Sequence, residues 1–320
     1  MKLTVMLGAA ALTLGIVGAA SAQQTSIGTS APGSIYHSSG TVIAKLLTEK
    51  AGIKATIQPF ASPNVYIPAV NTGEIMLGTA NIAELQWALK GQEHFSGRPH
   101  PELRGIAVMY PLRSAIFVRK GSDIKTLQDL KGRAAVDGFT SQKIILPLLD
   151  AMYATVGMTR RTCARCRSRA WSRAPTRSPP ASRTCSSSRS APRSRARPTR
   201  RWAASACSRC PIRPEALAKV REHFPPGYLR LENPSPANVG VLEPGYSLAY
   251  DALVFGSTKT PDEVAYQTAK VMYENAKAMG EQFPPFRLFD PKNMGKLQAP
   301  LEHHPGAIKF YKEIGIWSGK

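Results

Sequence analysis

Gln24-Thr25-Ser26-Ile27-Gly28-Thr29, followed by Ser30-Ala31-Pro32-Gly33-Ser34-Ile35-Tyr36-His37-Ser38-Ser39-Gly40, decides the fold. The first run reads as a short strand and the second as a polar loop rich in turn formers. Behind them Val42, Ile43, Leu46 and Leu47 recur at helical spacing, with Gly52 just past the end. Strand, polar loop and helix make one unit of an α/β fold, and the chain repeats it. Lys54–Pro59 is a strand, and Ala61-Ser62-Pro63-Asn64 caps a helix over Val65–Val70. Glu74–Thr79 is strand-like, and Asn81 opens a helix through Lys90. Leu103–Tyr110 and Ser114–Arg119 are apolar strands, Asp123–Leu130 a short helix and Arg133–Asp137 another strand. Thr140 or Ser141 caps a helix running to Tyr153. Further on, Pro214–Glu222 is helical, Leu248–Phe255 is a strand, and Pro261–Met279 and His304–Ile314 are helices. This alternation predicts a mainly parallel α/β sheet.

The chain has 320 residues, 43% of them hydrophobic, which suits a globular protein of about two domains. Its 42 Lys+Arg against 21 Asp+Glu give a formal net charge of +21. Such an excess ordinarily points to nucleic acid or a membrane surface. Its location argues otherwise. From Thr159 to Pro211, 53 consecutive residues are drawn only from Arg, Ser, Ala, Pro, Thr, Cys and Trp, and 15 of them are Arg. Without that stretch, 27 basic residues face 21 acidic ones, so the remainder is only mildly basic.

All seven residue types have codons with G or C at the second base. In a GC-rich gene the third base is mostly G or C, and a one-base slip moves it into second place. Thr159–Pro211 therefore reads as out-of-frame translation between two compensating slips. Thr184-Cys185-Ser186-Ser187-Ser188-Arg189 can come from ACG TGT TCT TCT TCG CGN, whose neighbouring frame reads Val-Phe-Phe-Phe-Ala, a buried strand. As printed, residues 159–211 have too little apolar surface to offset the entropy of ordering, and are expected to be disordered or mispacked. All five cysteines lie here: Cys163, Cys166, Cys185, Cys207 and Cys210. The two Cys-x-x-Cys pairs look like halves of a zinc site, but no apolar residues surround them. They are read as by-products of the frame, and no metal site is expected.

Met1-Lys2 is a short positive start, Leu3 to Ala20 is apolar, and Ala20-Ser21-Ala22 fits a cleavage site. A signal peptide over residues 1–22 predicts an exported protein of the periplasm, beginning near Gln23.

Four loops join a strand to a helix: Ser30–Gly40, Ala61–Asn64, Thr79–Asn81 and Gly138–Ser141. In a parallel sheet such loops gather at the carboxyl edge, where ligands bind. Their hydroxyls, amides and helix N-termini suit reversible capture of a carboxylate, and Arg113 could supply a bidentate cation. Each Ser, Thr or Asn also serves as a plain helix cap; four loops together favour a site. The sequence carries no Gly-x-Ser-x-Gly elbow, phosphate-binding loop or His-Glu-x-x-His pattern. His37 stands beside Ser38 and Ser39, but adjacent residues rarely achieve nucleophile–base geometry. His303-His304 has no carboxylate cluster with it, so a structural or capping role is expected.

Ile27-Gly-Thr-Ser-Ala-Pro-Gly-Ser-Ile-Tyr-His37 resembles the first strand and loop of the TAXI family, the solute receptors of TRAP transporters. Val70-Asn-Thr-Gly-Glu-Ile-Met-Leu-Gly-Thr-Ala80 and His304-Pro-Gly-Ala-Ile-Lys-Phe-Tyr-Lys-Glu-Ile-Gly315 resemble further passages of that family. Ile124-Lys-Thr-Leu-Gln-Asp-Leu-Lys-Gly-Arg133 resembles a turn of type II periplasmic binding proteins. The resemblance covers Thr25–Met158 and Ile212–Trp317. It implies a two-lobe periplasmic-binding-protein-like fold with two hinge strands, Ser114–Arg119 and Leu248–Phe255. One lobe would hold residues 23–119 plus 248–320, the other 120–247. It also implies ligand contacts at Ser30, Ser34, Tyr36, Asn64, Asn81, Thr140 and Ser141. His37 stands where a second Tyr is common, and Ala61–Asn64 is usually richer in Gly. The implied partners are a small organic acid, glutamate-like or a dicarboxylate, and the membrane permease subunits of a TRAP transporter. No cofactor, catalysis or nucleic acid is implied. An enzyme on the same scaffold and an Arg-rich nucleic-acid binder are the competing readings.

Overall fold

A computed structural model describes residues 24–118, 122–137, 139, 142–167, 185–188, 214–235, 238 and 241–319. Strand β1 (Thr25–Ser30) leads into helix α1 (Ile35–Ala51), β2 (Ala55–Phe60) into α2 (Pro63–Thr72), and β3 (Leu77–Asn81) into α3 (Ile82–Lys90). Helix α1 begins earlier than expected. Ser34 is its N-cap and accepts a hydrogen bond from the His37 N–H, so Ile35–Gly40 is helix rather than loop. Gly40 makes this possible: a Cβ there would stand 2.5 Å from Thr29 Cγ2, and its absence lets α1 lie close on β1.

β1 pairs in parallel with β2 and with β3. Beyond β3 the sheet turns antiparallel. β9 (Gly245–Ser257) lies beside β3, and β4 (Leu103–Val118) pairs along β9. The sheet is therefore mixed, because two strands distant in sequence complete it. The two strands expected around Pro111 are one. Pro111 stands opposite Asp251 of β9, and no other described strand pairs with it there. On that open side a missing N–H breaks no ladder.

The far ends of β4 and β9 carry a second group of elements. β5 (Ala134–Asp137) pairs in parallel with β6 (Ala164–Arg167), β7 (Cys185–Ser188) pairs antiparallel with Ala115–Val118 of β4, and β8 (Tyr228–Glu232) pairs with Gly245–Ala249 of β9. Helices α4 (Ile145–Ala154) and α5 (Leu217–His223) pack together beside them. This is the expected two-lobe α/β architecture, with β4 and β9 shared between the lobes. Within the stretch expected to be disordered or mispacked, Ala164–Arg167 pairs with β5 and Cys185–Ser188 with β4. Residues 168–184 and 189–211 lie outside the described residues.

Three further expectations change. The helix expected over Pro261–Met279 is two, α6 (Asp262–Glu274) and α7 (Ala276–Gln282). They break at Asn275, whose amide donates to the Val271 carbonyl. Asp123–Leu130 is mostly turn, because the Asp129 carboxylate accepts from the Lys125 and Thr126 N–H groups. β8, which follows Pro225-Pro226-Gly227, was not expected from the sequence. Residues 1–22 lie outside the described residues, among which no helix is long and apolar enough to cross a membrane.

The last helix, α8 (Pro305–Glu313), is fixed by its own first residues. His304 is buried and caps it: Nδ1 accepts from the Gly306 N–H, and Nε2 bonds the Thr260 carbonyl. Gly306 lies against the Asp262 carbonyl at the start of α6, with no room for a Cβ. We expect Gly306→Ala to cost about 3 kcal/mol by prising α8 from α6, read as a fall in melting temperature of about 2–4 °C per kcal/mol. A second prediction concerns acid. The His94 ring packs 5.7 Å from Trp87 and 4.8 Å from Phe95, with Nε2 buried and unpartnered. Burial, and then the Lys143 ammonium, pull its pKa down to about 4. Its contribution to stability is whole above the unfolded value of about 6.5 and is lost as pH falls toward 4. His94→Gln should flatten the loss of stability between those two pH values, measured by urea unfolding.

Candidate functional site

Strand order β2-β1-β3 brings the carboxyl ends of three parallel strands side by side, and each runs directly into a helix. The N-termini of α1, α2 and α3 therefore meet at one edge of the sheet. Ser30 ends β1, Ser34 caps α1, Ser62 caps α2 and Asn81 caps α3. Positive helix ends and short polar caps on a single edge create a field that favours an anion.

Behind that edge lies a buried hydrogen-bond network. Asn81 Nδ2 donates to the Tyr36 hydroxyl at 2.9 Å and also to the Glu84 carboxylate. In return the Glu84 N–H donates to Asn81 Oδ1 at 3.0 Å. Thr79 Oγ1 donates to the Tyr36 carbonyl at 3.2 Å, and the Tyr66 hydroxyl donates to the Thr79 carbonyl. Ser30 also bonds Tyr66, whose pKa is raised well above its ordinary value, first by burial and then by the Glu84 charge. Thr29, Ser30, Thr79, Asn81 and Glu84 are all buried. Such a network holds its members in one arrangement because each unpaired group would be costly in low dielectric.

Of the expected site residues, Ser30, Tyr36 and Asn81 belong to this network. Ser34 sits at its rim, where the cap uses the acceptor side of its hydroxyl. His37 points back to β1, with Nδ1 3.2 Å from Thr29 Oγ1. Asn64 lies in the first turn of α2, where its Oδ1 accepts from Ser62 and leaves its amide N–H groups to other acceptors. Thr140 and Ser141 lie outside the described residues. Arg113 is placed differently. Its guanidinium donates to Glu232 at 2.8 Å and to Asn238 at 2.7 Å, with Arg230 on the other oxygen of Glu232. Strand parity sets Arg113 on the opposite face of β4 from Tyr110, whose hydroxyl bonds Ser39 of α1.

Sequence reasoning passed over Thr29, Tyr66, Thr79 and Glu84 as individual site residues. Glu84 was legible, since Asn81-x-x-Glu84 has the spacing of a capping box. Tyr66 was not, because its partners are distant in sequence. His303 bonds the Gly295 carbonyl and His304 caps α8, so both have the structural role expected.

Residues 27–165 and 211–315 match the NMT1-like family. The chain belongs to the NMT1-like family. In this NMT1-like chain the match breaks off between 165 and 211, within the Arg-rich stretch. Solved structures add likenesses of low identity. The periplasmic aliphatic sulphonate binding protein SsuA from Escherichia coli is 24% identical, over 46% of this chain and 47% of that one, with a TM-score of 0.34. The chain thus spans about half the length of that protein. A putative periplasmic sulfonate-binding protein SsuA from Methylobacillus flagellatus is 11% identical over 92% of this chain and 96% of that one, with a TM-score of 0.49. An alkanesulfonate-binding SsuA from Xanthomonas axonopodis bound to MOPS is 16% identical over 91% and 90%, with a TM-score of 0.38.

Asn81 is the test of the site. Asn81→Ala removes a helix cap and the donor shared by Tyr36 and Glu84, and should cost about 1–2 kcal/mol. The check is a chemical denaturation curve, with Asn64→Ala as a control that should change stability little.

Proposed function

We propose that this protein is an extracytoplasmic solute receptor that captures a small organic acid between its lobes and delivers it to a membrane permease. The observation that carries the reading is the meeting of three helix N-termini over a buried, hydrogen-bonded polar floor. A rigid floor with dipole-derived positive potential holds an anion without forming a covalent bond to it. Ser30, Ser34, Tyr36, His37, Asn64 and Asn81 contact the ligand from the first lobe. Thr140 and Ser141 complete the cleft from the second, and Arg113 contributes the charge of the hinge region. The lobes are residues 23–119 plus 248–320, and 120–247. Ligand binding shifts an open–closed equilibrium, and the closed form docks on the permease.

The ligand is a carboxylate, glutamate-like or dicarboxylic, and the transporter is of the TRAP type with this chain as its TAXI receptor. The three passages that resemble the TAXI family, Ile27–His37, Val70–Ala80 and His304–Gly315, support that choice. The proteins named above as sulfonate binders support a second ligand, an alkanesulfonate, which offers the same kind of anionic oxygens to the same donors. No catalysis takes place. Residues 1–22 are a signal peptide cleaved after Ala22, which places the receptor in the periplasm. Thr159–Pro211 is out-of-frame translation between two slips; its composition and the break in the family match both support this.

Thermal-shift screening tests the receptor reading. C4 and C5 dicarboxylates, glutamate and short alkanesulfonates are added to this chain and to a frame-restored version. One class should raise the melting temperature in a saturable way. Ser34→Ala should weaken that ligand about tenfold, equivalent to roughly 1.4 kcal/mol. If no anion of either class shifts the melting point, the reading fails.

A further inference from the structure

The corner between α5 and β8, Phe224-Pro225-Pro226-Gly227-Tyr228, lies between the shared strand β9 and the first lobe. Its hold on β9 is firm. β8 pairs with Gly245–Ala249, the Phe224 ring meets Tyr250 edge-on at 5.2 Å, and the Tyr228 hydroxyl donates to Asp251 at 2.7 Å. Phe224, Pro226 and Gly227 are buried. Gly227 keeps the turn tight, since a Cβ there would stand 2.9 Å from the Phe224 carbonyl oxygen.

On its other side stand Trp87 of α3 and Gln298, both fixed to the first lobe. The Gln86 amide donates to the Ala299 carbonyl at 2.8 Å, which ties α3 to the segment carrying Gln298. That segment is held on β4, where the Val108 N–H donates to the Met294 carbonyl at 2.8 Å and Leu297 fills the space a Cβ at Gly105 would need. Across the seam between these two bodies the contacts are longer. Trp87 meets Phe224 at 6.5 Å between ring centroids, near the outer limit for an aromatic pair. Gln298 Nε2 stands 3.5 Å from the Pro226 carbonyl, outside the usual N–H···O range of about 2.7–3.2 Å. The Gln298 side chain also bonds the Asp251 carboxylate, and its amide has a hydrogen for each acceptor. One incomplete hydrogen bond and one distant ring pair thus share a seam, and the same small approach would improve both.

We infer that this corner is a latch between the lobes. As they close, Gln298 Nε2 donates to the Pro226 carbonyl at full hydrogen-bond length and the Phe224 ring seats against Trp87; as they open, the two contacts part together. Because α3 and the Gln298 segment are tied as one body, neither contact is made without the other. The closing motion is that of the receptor proposed above, on which this role rests; the coupling of the two contacts belongs to the chain with no ligand present. The latch favours closure only by the free energy gained there, so breaking it lowers the closed population and with it the apparent affinity.

Fluorine NMR of the chain labelled with 5-fluorotryptophan tests the latch, with the Trp87 signal assigned by its loss in Trp87→Phe. Phe224→Leu marks where that signal lies without the ring beside it. Gln298→Ala should move the signal toward that position. Gln298→Glu, which sets a carboxylate against Asp251 and the Pro226 carbonyl, should move it further the same way. A Trp87 signal unmoved by both Gln298 variants, or moved by them in opposite senses, overturns the latch, whether or not Phe224→Leu folds. Glutamate, succinate and pentanesulfonate are then added. The anion that raises the melting temperature should move the signal of the parent chain away from its Gln298→Ala position, and Gln298→Ala should weaken that anion about fivefold. Binding that leaves the signal in place overturns the latch and spares the receptor reading. If no anion shifts the melting temperature, the receptor reading and the role in closure both fall, while the coupling of Gln298 to Trp87 is still read from the unliganded signals.

Discussion

The antiparallel pairing of β4 with β9 is the constraint on which the rest depends. β9 arrives from a part of the chain far beyond the first six elements and inserts beside β3. It then pairs with β4 from Leu103↔Ser257 to Ser114↔Leu248. No local propensity brings those segments together. Leu248, Leu253, Val254 and Phe255 are buried on β9, and Leu103, Ile106 and Leu112 on β4, so the pairing is driven by apolar burial along both strands. Because the same two strands carry β7 and β8 at their far ends, they transmit the position of one lobe to the other. The polar face of the same region, with Arg113 between Glu232 and Asn238, and the Tyr228 hydroxyl 2.7 Å from the Asp251 carboxylate, adds direction to a contact that hydrophobicity alone leaves free to slide.

That polar face also alters the chemistry assigned to Arg113. In sequence it stands at the head of an apolar strand and reads as a lone cation. In the fold it shares Glu232 with Arg230, so two guanidiniums face one carboxylate. The excess positive charge belongs to a cluster and not to a single side chain. The Arg113 guanidinium is thus partly neutralised and already held in place. The first-lobe edge supplies neutral donors and helix dipoles.

Much of the first lobe was legible along the chain. Gly52, Gly73 and Gly91 end α1, α2 and α3 in the left-handed conformation, and the caps Ser34, Ser62 and Asn81 begin them. These are local effects, decided within a few residues. The start of α1 was misplaced because Tyr36–Gly40 is polar and ends in glycine; only the close approach of Thr29 explains why a glycine belongs inside that helix. The break of α6 from α7 at Asn275 was likewise hidden, since the apolar spacing continues past it. The second lobe was less legible: β5 was read, but β6 and β7 fall where the printed residues do not follow strand chemistry, and β8 was passed over.

By itself the sequence determined the α/β alternation, the caps that begin the first helices, the mild charge of the chain outside Thr159–Pro211 and the abnormality of that stretch. These are properties of residue type and short spacing. The tertiary structure alone decided that β9 lies between β3 and β4, that Tyr66 and Glu84 complete the polar floor, and that Arg113 shares Glu232 with Arg230. Each of these joins residues remote in sequence, and such contacts are selected by the burial and pairing of whole surfaces, which no local pattern records.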